Sequence, residues 1–334
     1  MKRSILALIV LAMASEAIAQ RRQAPEVKNR YGMTLILKEG KYDVQGKEAI
    51  CKMPECSELP ADAYQPYTPD YKITEQDYQY CRTEAFTFKE YPTHNLKMEV
   101  DLPTLTQGKS PFIIYVHGGG WQGGGPEAFR RQSQYLASRG IAGVRITYTL
   151  IPNGGNFDMG MEEMQAAWDF VVAHADTWNL DLTRSGYAGG SAGTPLASLQ
   201  TMRQKGCKLY MGCNGVYDFE RKGPDAFPSR NTGYFADYSD QKLRDLSPIN
   251  NIPERDLPAV IVFHGTADTT ISYMQSVHFA DRVAEKGGKI EKCIYPLYKH
   301  AFFNYGSSDK FEEVTLSMYR FAKHVFKAPD VNLP

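Results

Sequence analysis

The chain has 334 residues, 43% of them hydrophobic, and its 38 Lys and Arg balance 38 Asp and Glu. That length and apolar share suffice for one large core. The even charge balance provides no global field for nucleic acid or an anionic membrane, so a neutral, compact substrate suits the chain better. No fixed-period repeat or low-complexity tract interrupts it.

In chain order, Lys2-Arg3, the apolar run Ile5 to Ala14 and Ala17-Ile18-Ala19 follow the plan of a secretory leader (residues 1–19) cleaved before Gln20. The apolar run is too short to span a bilayer, and no cysteine follows the cleavage site to carry a lipid. The expectation is an exported protein, periplasmic or secreted, with no stable membrane anchor. Residues 20–82 are rich in Tyr, Pro and charge, with Tyr64, Tyr67, Tyr71, Tyr78 and Tyr80 closely spaced, and read as an N-terminal arm whose rings pack. Export permits disulfides among the six cysteines. Cys51 and Cys56 flank a turn-forming segment suited to local pairing, whereas a strand between Cys207 and Cys213 holds those two apart; free buried thiols are an equal expectation for most of the six.

A mixed α/β catalytic region is expected over 83–327, with a short tail at 328–334. Thr83 to Phe88 and Leu96 to Leu102 read as two antiparallel strands, and Pro111 to Val116 as a buried strand. It ends in His117-Gly118-Gly119-Gly120-Trp121. Helices are predicted from Glu127 to Arg139 and from Asp158 to Trp178. In the second, Met161, Met164, Trp168, Val171 and Ala175 recur at core-facing spacing. Arg184 to Gly189 leads into Ser191 and a helix from Ala192 to Arg203. Residues 214–258 break the strand-helix rhythm, mixing Tyr217, Phe219, Phe227, Tyr234, Phe235 and Tyr238 with Gly and Pro, and read as a lid or specificity insertion. Val260 to Phe263 is a strand followed by His264-Gly265-Thr266-Ala267-Asp268; Ile290 to Tyr295 is a strand followed by Lys299-His300-Ala301-Phe302.

Two of these segments are complementary halves of one acyl-transfer site. Gly189-Gly190-Ser191-Ala192-Gly193 matches the G-x-S-x-G elbow, in which a serine sits on a strained strand-to-helix turn and its flanking glycines admit close backbone approach. The upstream glycine loop matches a donor of backbone N–H groups to an oxyanion. An acid and a histidine then follow the nucleophile, each in a loop after a strand. Asp268 and His300 meet that condition. Asp218, Asp225, Asp237 and Asp240 lie in the irregular stretch; His174, His278 and His324 lie in helical patterns; His94 precedes the nucleophile. For His117 and His264, each opening a glycine turn, the expected role is fixing loop geometry by hydrogen bonding.

On these motifs the chain from Thr83 to Lys327 resembles the α/β-hydrolase superfamily, and within it the esterase/lipase group with an H-G-G-G loop related to hormone-sensitive lipase. The group's elbow usually reads G-D-S-A-G-G, where this chain has Gly190 and Thr194. Its Y-R-L-A-P-E segment appears here as Tyr148 to Asn153. With Trp121 the glycine loop looks more like that of extracytoplasmic carbohydrate esterases of acetyl or feruloyl type. The resemblance implies an α/β-hydrolase fold, a mostly parallel central sheet with helices on both faces.

The expected chemistry is that of a serine esterase acting on an acetyl or feruloyl ester of plant polysaccharide or oligosaccharide. Ser191 is the nucleophile, His300 the base and Asp268 the acid that orients it. Gly119, Gly120 and Ala192 supply the oxyanion N–H groups, and Trp121, Tyr217 and Phe219 contact substrate. No metal or organic cofactor is implied. The alternatives are a serine peptidase or amidase on the same fold, and a non-catalytic binding protein retaining it.

Overall fold

A computed structural model describes residues 72–219, 233–295 and 297–331, together with the backbone of three strands between residues 27 and 45. The chain divides into two units, Met1–Ile50 and Cys51–Pro334. The first holds a three-stranded antiparallel sheet of β1 (Val27–Lys28), β2 (Thr34–Lys38) and β3 (Lys41–Gln45), with β2 central. The expected leader, Cys51, Cys56 and Tyr64 to Tyr71 lie outside the described residues.

The second unit is organised by eight strands: β4 (Cys81–Glu90), β5 (Asn95–Pro103), β6 (Ser110–Val116), β7 (Ala142–Ile146), β8 (Leu180–Gly190), β9 (Leu209–Cys213), β10 (Ala259–Gly265) and β11 (Ile290–Tyr295). They lie side by side as β11-β10-β9-β8-β6-β7-β5-β4. Neighbours from β11 to β7 are all parallel, while β5 runs antiparallel to both β7 and β4. Every residue of β6, β7, β9, β10 and β11 is buried. The near-continuous apolar runs of β6, β9 and β10 are what a parallel sheet covered on both faces requires, with Arg145 on β7 and Glu291 and Lys292 on β11 as buried charged residues.

Among the described residues six helices accompany the sheet: α1 (Arg130–Ala137), α2 (Phe157–His174), α3 (Thr194–Arg203), α4 (Asp240–Leu246), α5 (Met274–Glu285) and α6 (Phe311–Phe326). The helix expected over 127–139 begins instead as a 3-10 turn, Pro126–Phe129, with proline at its first position, and turns α-helical at Arg130. The Asn156 side chain caps α2 by accepting the Met159 N–H at 3.0 Å. That helix ends at His174, short of Trp178. Its stripe packs as core: Met164, Val171 and Ala175 are buried, with Met161 and Trp168 against them. Within 214–258 the described residues contain α4, capped by Ser239; residues 220–232, Phe227 among them, lie outside the described set.

A buried ion pair fixes the antiparallel corner. Arg145 on β7 grips Asp101 on β5 through both carboxylate oxygens, at 2.7 and 2.9 Å, and reaches Glu99 at 2.5 Å and the Pro126 carbonyl at 2.9 Å. The Thr83 and Ser133 hydroxyls complete the Asp101 shell. A paired, fully hydrogen-bonded charge tolerates burial, and this one ties the segment after the glycine loop to the sheet.

β6 leads on to β7 on one side while its neighbour β8 leads on to β9 on the other, so the connections from these adjacent strands run in opposite directions. In an open α/β sheet the carboxyl ends beside such a switch point form the ligand crevice. The glycine loop leaves β6 there, and Ser191 leaves β8.

Candidate active site

The register aligns Val116 with Gly189, which sets the glycine loop beside the elbow. Packing at the turn is close: a Cβ on Gly189 would lie 2.8 Å from the Gly193 carbonyl oxygen, and one on Gly193 only 2.3 Å from that of Val116. Side chains at either position would force the strands apart. Ser191 itself has φ 49°, left-handed backbone that a serine adopts only when its surroundings impose it. A 3-10 turn, Ser191–Gly193, then leads into α3.

Ser191, His300 and Asp268 come together as a hydrogen-bonded series. His300 Nε2 lies 2.9 Å from Ser191 Oγ, and its Nδ1 lies 2.7 Å from Asp268 Oδ2. Since a carboxylate only accepts, Nδ1 carries the proton and Nε2 presents its lone pair to the serine hydroxyl. The imidazole is partly open to solvent, while the Asp268 carboxylate is sealed. Burial alone would raise the Asp268 pKa, but hydrogen bonds from His264 and His300 outweigh it and hold the carboxyl well below its usual range. Backbone N–H groups of Thr270 (2.8 Å) and Ile271 (3.0 Å) satisfy Oδ1, and the Asn214 amide reaches Oδ2 at 2.9 Å. Asp218, by contrast, accepts from the Ser247 hydroxyl and donates its backbone N–H to Gln275.

Ser191 and His300 line a cleft of about 610 Å³ with Gly118, Gly119 and Gly120. Gly119 and Gly120 have φ 119° and 61°, and among the described residues their N–H groups donate to nothing. Ala192 is buried directly behind the serine. The two histidines read as loop-fixing both hold local structure. His117 Nδ1 lies 2.7 Å from the Gly118 carbonyl, and its ring stacks on Tyr148, whose hydroxyl donates to the His117 carbonyl. Burial lowers the pKa of both. His264 does more than fix a loop, since its Nε2 lies 3.1 Å from Asp268 Oδ2.

The expected substrate contacts are corrected by the structure. Trp121, Tyr217 and Phe219 are all fully buried. Trp121 stacks on Tyr234 and meets Phe235 edge-on; Tyr217 stacks on Phe279; Phe219 packs against Phe157 and Phe235. Aromatic residues spaced through an irregular segment signal a hydrophobic cluster as readily as a binding face, and here the cluster prevails. The cleft is lined instead by Gln122, Ala128, Phe129, Thr270, Ala301, Phe303 and Asn304. Their signal in the sequence was proximity alone: each lies within about ten residues of a motif residue.

The departures from the group's motifs have local reasons. A Cβ on Gly190 would lie 3.0 Å from Phe303 and 3.1 Å from Phe129, so those rings fill the space an aspartate side chain would need. Thr194 donates its hydroxyl to the Ser191 carbonyl at 2.5 Å and accepts the Val216 N–H at 2.9 Å, joining the elbow to the segment after β9. Cys81, Cys207, Cys213 and Cys293 are free thiols. Among the described residues no group of three His, Cys, Asp or Glu is arranged to hold a metal ion, and no helix is long and apolar enough to cross a membrane.

Residues 98–226 match the family model described as BD-FAE. A thermophilic esterase from the planctomycete Thermogutta terrifontis superposes with a TM-score of 0.64 over 75% of this chain and 95% of its own, at 24% identity. With the strand order above, that likeness decides the fold. The chain has the α/β-hydrolase fold. Among curated relatives, this α/β-hydrolase is 28% identical to a probable isoprenylcysteine alpha-carbonyl methylesterase of Oryza sativa, over 66% of this chain and 57% of the relative. An acetyl esterase of Salmonella paratyphi B is 25% identical over 58% of this chain and 65% of the relative. The chain spans about half the length of the plant relatives it matches.

Proposed function

We propose that this α/β-hydrolase is an exported serine esterase acting on short acyl esters of carbohydrate. The observation that carries the reading is the series from Ser191 through His300 to Asp268, opening onto a cleft beside free Gly119 and Gly120 N–H groups. Ser191 Oγ attacks the ester carbonyl carbon as His300 Nε2 takes its proton. The tetrahedral oxyanion receives N–H groups from Gly119, Gly120 and Ala192. Collapse breaks the bond to the leaving oxygen, which takes the proton back from His300 and departs as an alcohol. Water, deprotonated by the same imidazole, then hydrolyses the acyl-enzyme. Asp268 stays ionised throughout, which suits a carboxylate surrounded by donors.

The names of the relatives support ester chemistry, one of them on acetyl esters. Carbohydrate as the alcohol is supported by the cleft's mixture of Gln122, Thr270 and Asn304 with Phe129 and Phe303, and export by the leader-like residues 1–19. Among the described residues of 214–258, Tyr217, Phe219, Tyr234 and Phe235 lend no support, being core. The test is turnover of a small chromogenic acetate and of a peptide anilide, followed by a panel of acetylated and feruloylated oligosaccharides beside long-chain esters. Faster anilide than acetate cleavage would make the protein an amidase. Preference for long-chain esters would leave a serine esterase but remove the carbohydrate.

A further inference from the structure

Resting on the hydrolase reading, we infer that the catalytic series has a second imidazole: His264 is a positioning residue that holds the same oxygen of Asp268 that His300 uses, with Ser276 behind it. His264 Nε2 faces two groups that only accept, Asp268 Oδ2 at 3.1 Å and the Ile271 carbonyl at 3.2 Å. That nitrogen therefore carries a proton. Burial disfavours the imidazolium form, so Nδ1 is a lone pair, and the Ser276 hydroxyl 2.7 Å away donates to it. Ser276, His264 and Asn214 are all fully buried. Two series of directed donation thus converge on Asp268 Oδ2, one from Ser276 through His264 and one from Ser191 through His300.

The chemistry needs this on two counts. Oδ2 accepts from His300, Asn214 and His264 at once, so the carboxylate cannot rotate to offer His300 its other oxygen, which the Thr270 and Ile271 N–H groups occupy. Moreover, the group that His264 contributes is neutral. It steadies the anion without adding a positive charge that would oppose the His300 imidazolium formed in the transition state. His264 is fully buried and does not line the cleft, so its loss should act on kcat and leave KM alone.

The experiment compares His264→Leu, His264→Gln and Ser276→Ala with the wild-type full chain on a small chromogenic acetate, with active sites counted by an organophosphonate. His264→Leu should lower kcat per titrated site about ten- to a hundredfold at unchanged KM, the effect of one hydrogen bond to a charged group. His264→Gln, whose amide can still donate, should recover most of it, and Ser276→Ala should lose less than His264→Leu. In proton NMR the low-field His300 Nδ1–H resonance should move in His264→Leu and return toward its wild-type position in His264→Gln. A wild-type protein that turns over, with His264→Leu equal to it in kcat and in that resonance, overturns the positioning role alone; a fall in kcat with no rescue by glutamine also overturns it, as loss of packing. A wild-type protein that turns over no ester overturns the hydrolase reading, and the NMR comparison then judges the His264 contact by itself.

Discussion

Replacing Trp121 by alanine separates a wall of the cleft from a piece of the core. The ring is fully buried, stacked on Tyr234 with centroids 5.4 Å apart and 13° between planes, and met edge-on by Phe235 at 5.3 Å. Truncating a large aromatic in such a setting costs about 3–5 kcal/mol. For a unit of this size each kcal/mol lowers Tm by about 2–4 °C, so the expected fall is about 6–20 °C. The backbone adds nothing to offset it, because φ at Trp121 is 59° and alanine is as strained there as tryptophan. Since the Trp121 carbonyl accepts the Ile151 N–H at 2.8 Å just beyond the glycine loop, activity should also drop. The drop should be similar for a small acetate and a bulky sugar ester. The assay is thermal unfolding by circular dichroism with kcat/KM on both esters. A Tm within about 2 °C of wild type, with loss confined to the bulky ester, would refute the reasoning and return Trp121 to the cleft.

Ser191→Ala and His300→Ala are expected to lower kcat about a millionfold with the unfolding transition retained, measured by single-turnover kinetics and far-ultraviolet dichroism. Asp268→Asn should cost about ten-thousandfold by favouring the wrong imidazole tautomer; near-normal turnover would point to another acid. Because the folded-state pKa of Asp268 is depressed, its contribution to stability is complete above the unfolded value, near pH 4, and is lost as pH falls through the lower folded value. Urea midpoints of wild type and Asp268→Asn should therefore differ most at neutral pH and converge in acid, and a constant gap would contradict this. Arg145→Met leaves Asp101 buried without its cation and should destabilise by about 3–5 kcal/mol in urea unfolding, whereas a loss below about 1 kcal/mol would mean the pair is dispensable.

The sheet and the triad positions were legible because each has a strong local signature. β6 and β10 are unbroken apolar runs ending in glycine turns, and the order of serine, acid and histidine after successive strands restricts the choice to Asp268 and His300. What the local pattern lacked was direction. The clustering of Tyr217 and Phe219 with other aromatic residues marks apolar surface but not whether it meets substrate or Phe279 and Phe235, a matter of long-range packing. His264 was legible as a hydrogen-bonding group at a turn. Its partner Ser276 is twelve residues away on α5, and only the fold shows that the chain linking them returns to the same carboxylate.

The same distinction explains Gly190. Read along the chain, it is a missing aspartate. In the fold, Phe129 and Phe303 stack with centroids 5.7 Å apart directly over it, and Gln132 donates to the Phe303 carbonyl at 2.9 Å to hold that turn. Phe303 lies three residues after His300, so the turn that delivers the base also delivers the ring that occupies the aspartate's place. A carboxylate at 190 would have to displace both rings and would bring a charge against an apolar wall next to the nucleophile. Gly190, Phe129 and Phe303 are thus one feature spread over three segments. It makes the wall nearest Ser191 aromatic, while Gln122, Thr270 and Asn304 provide the cleft's polar side chains.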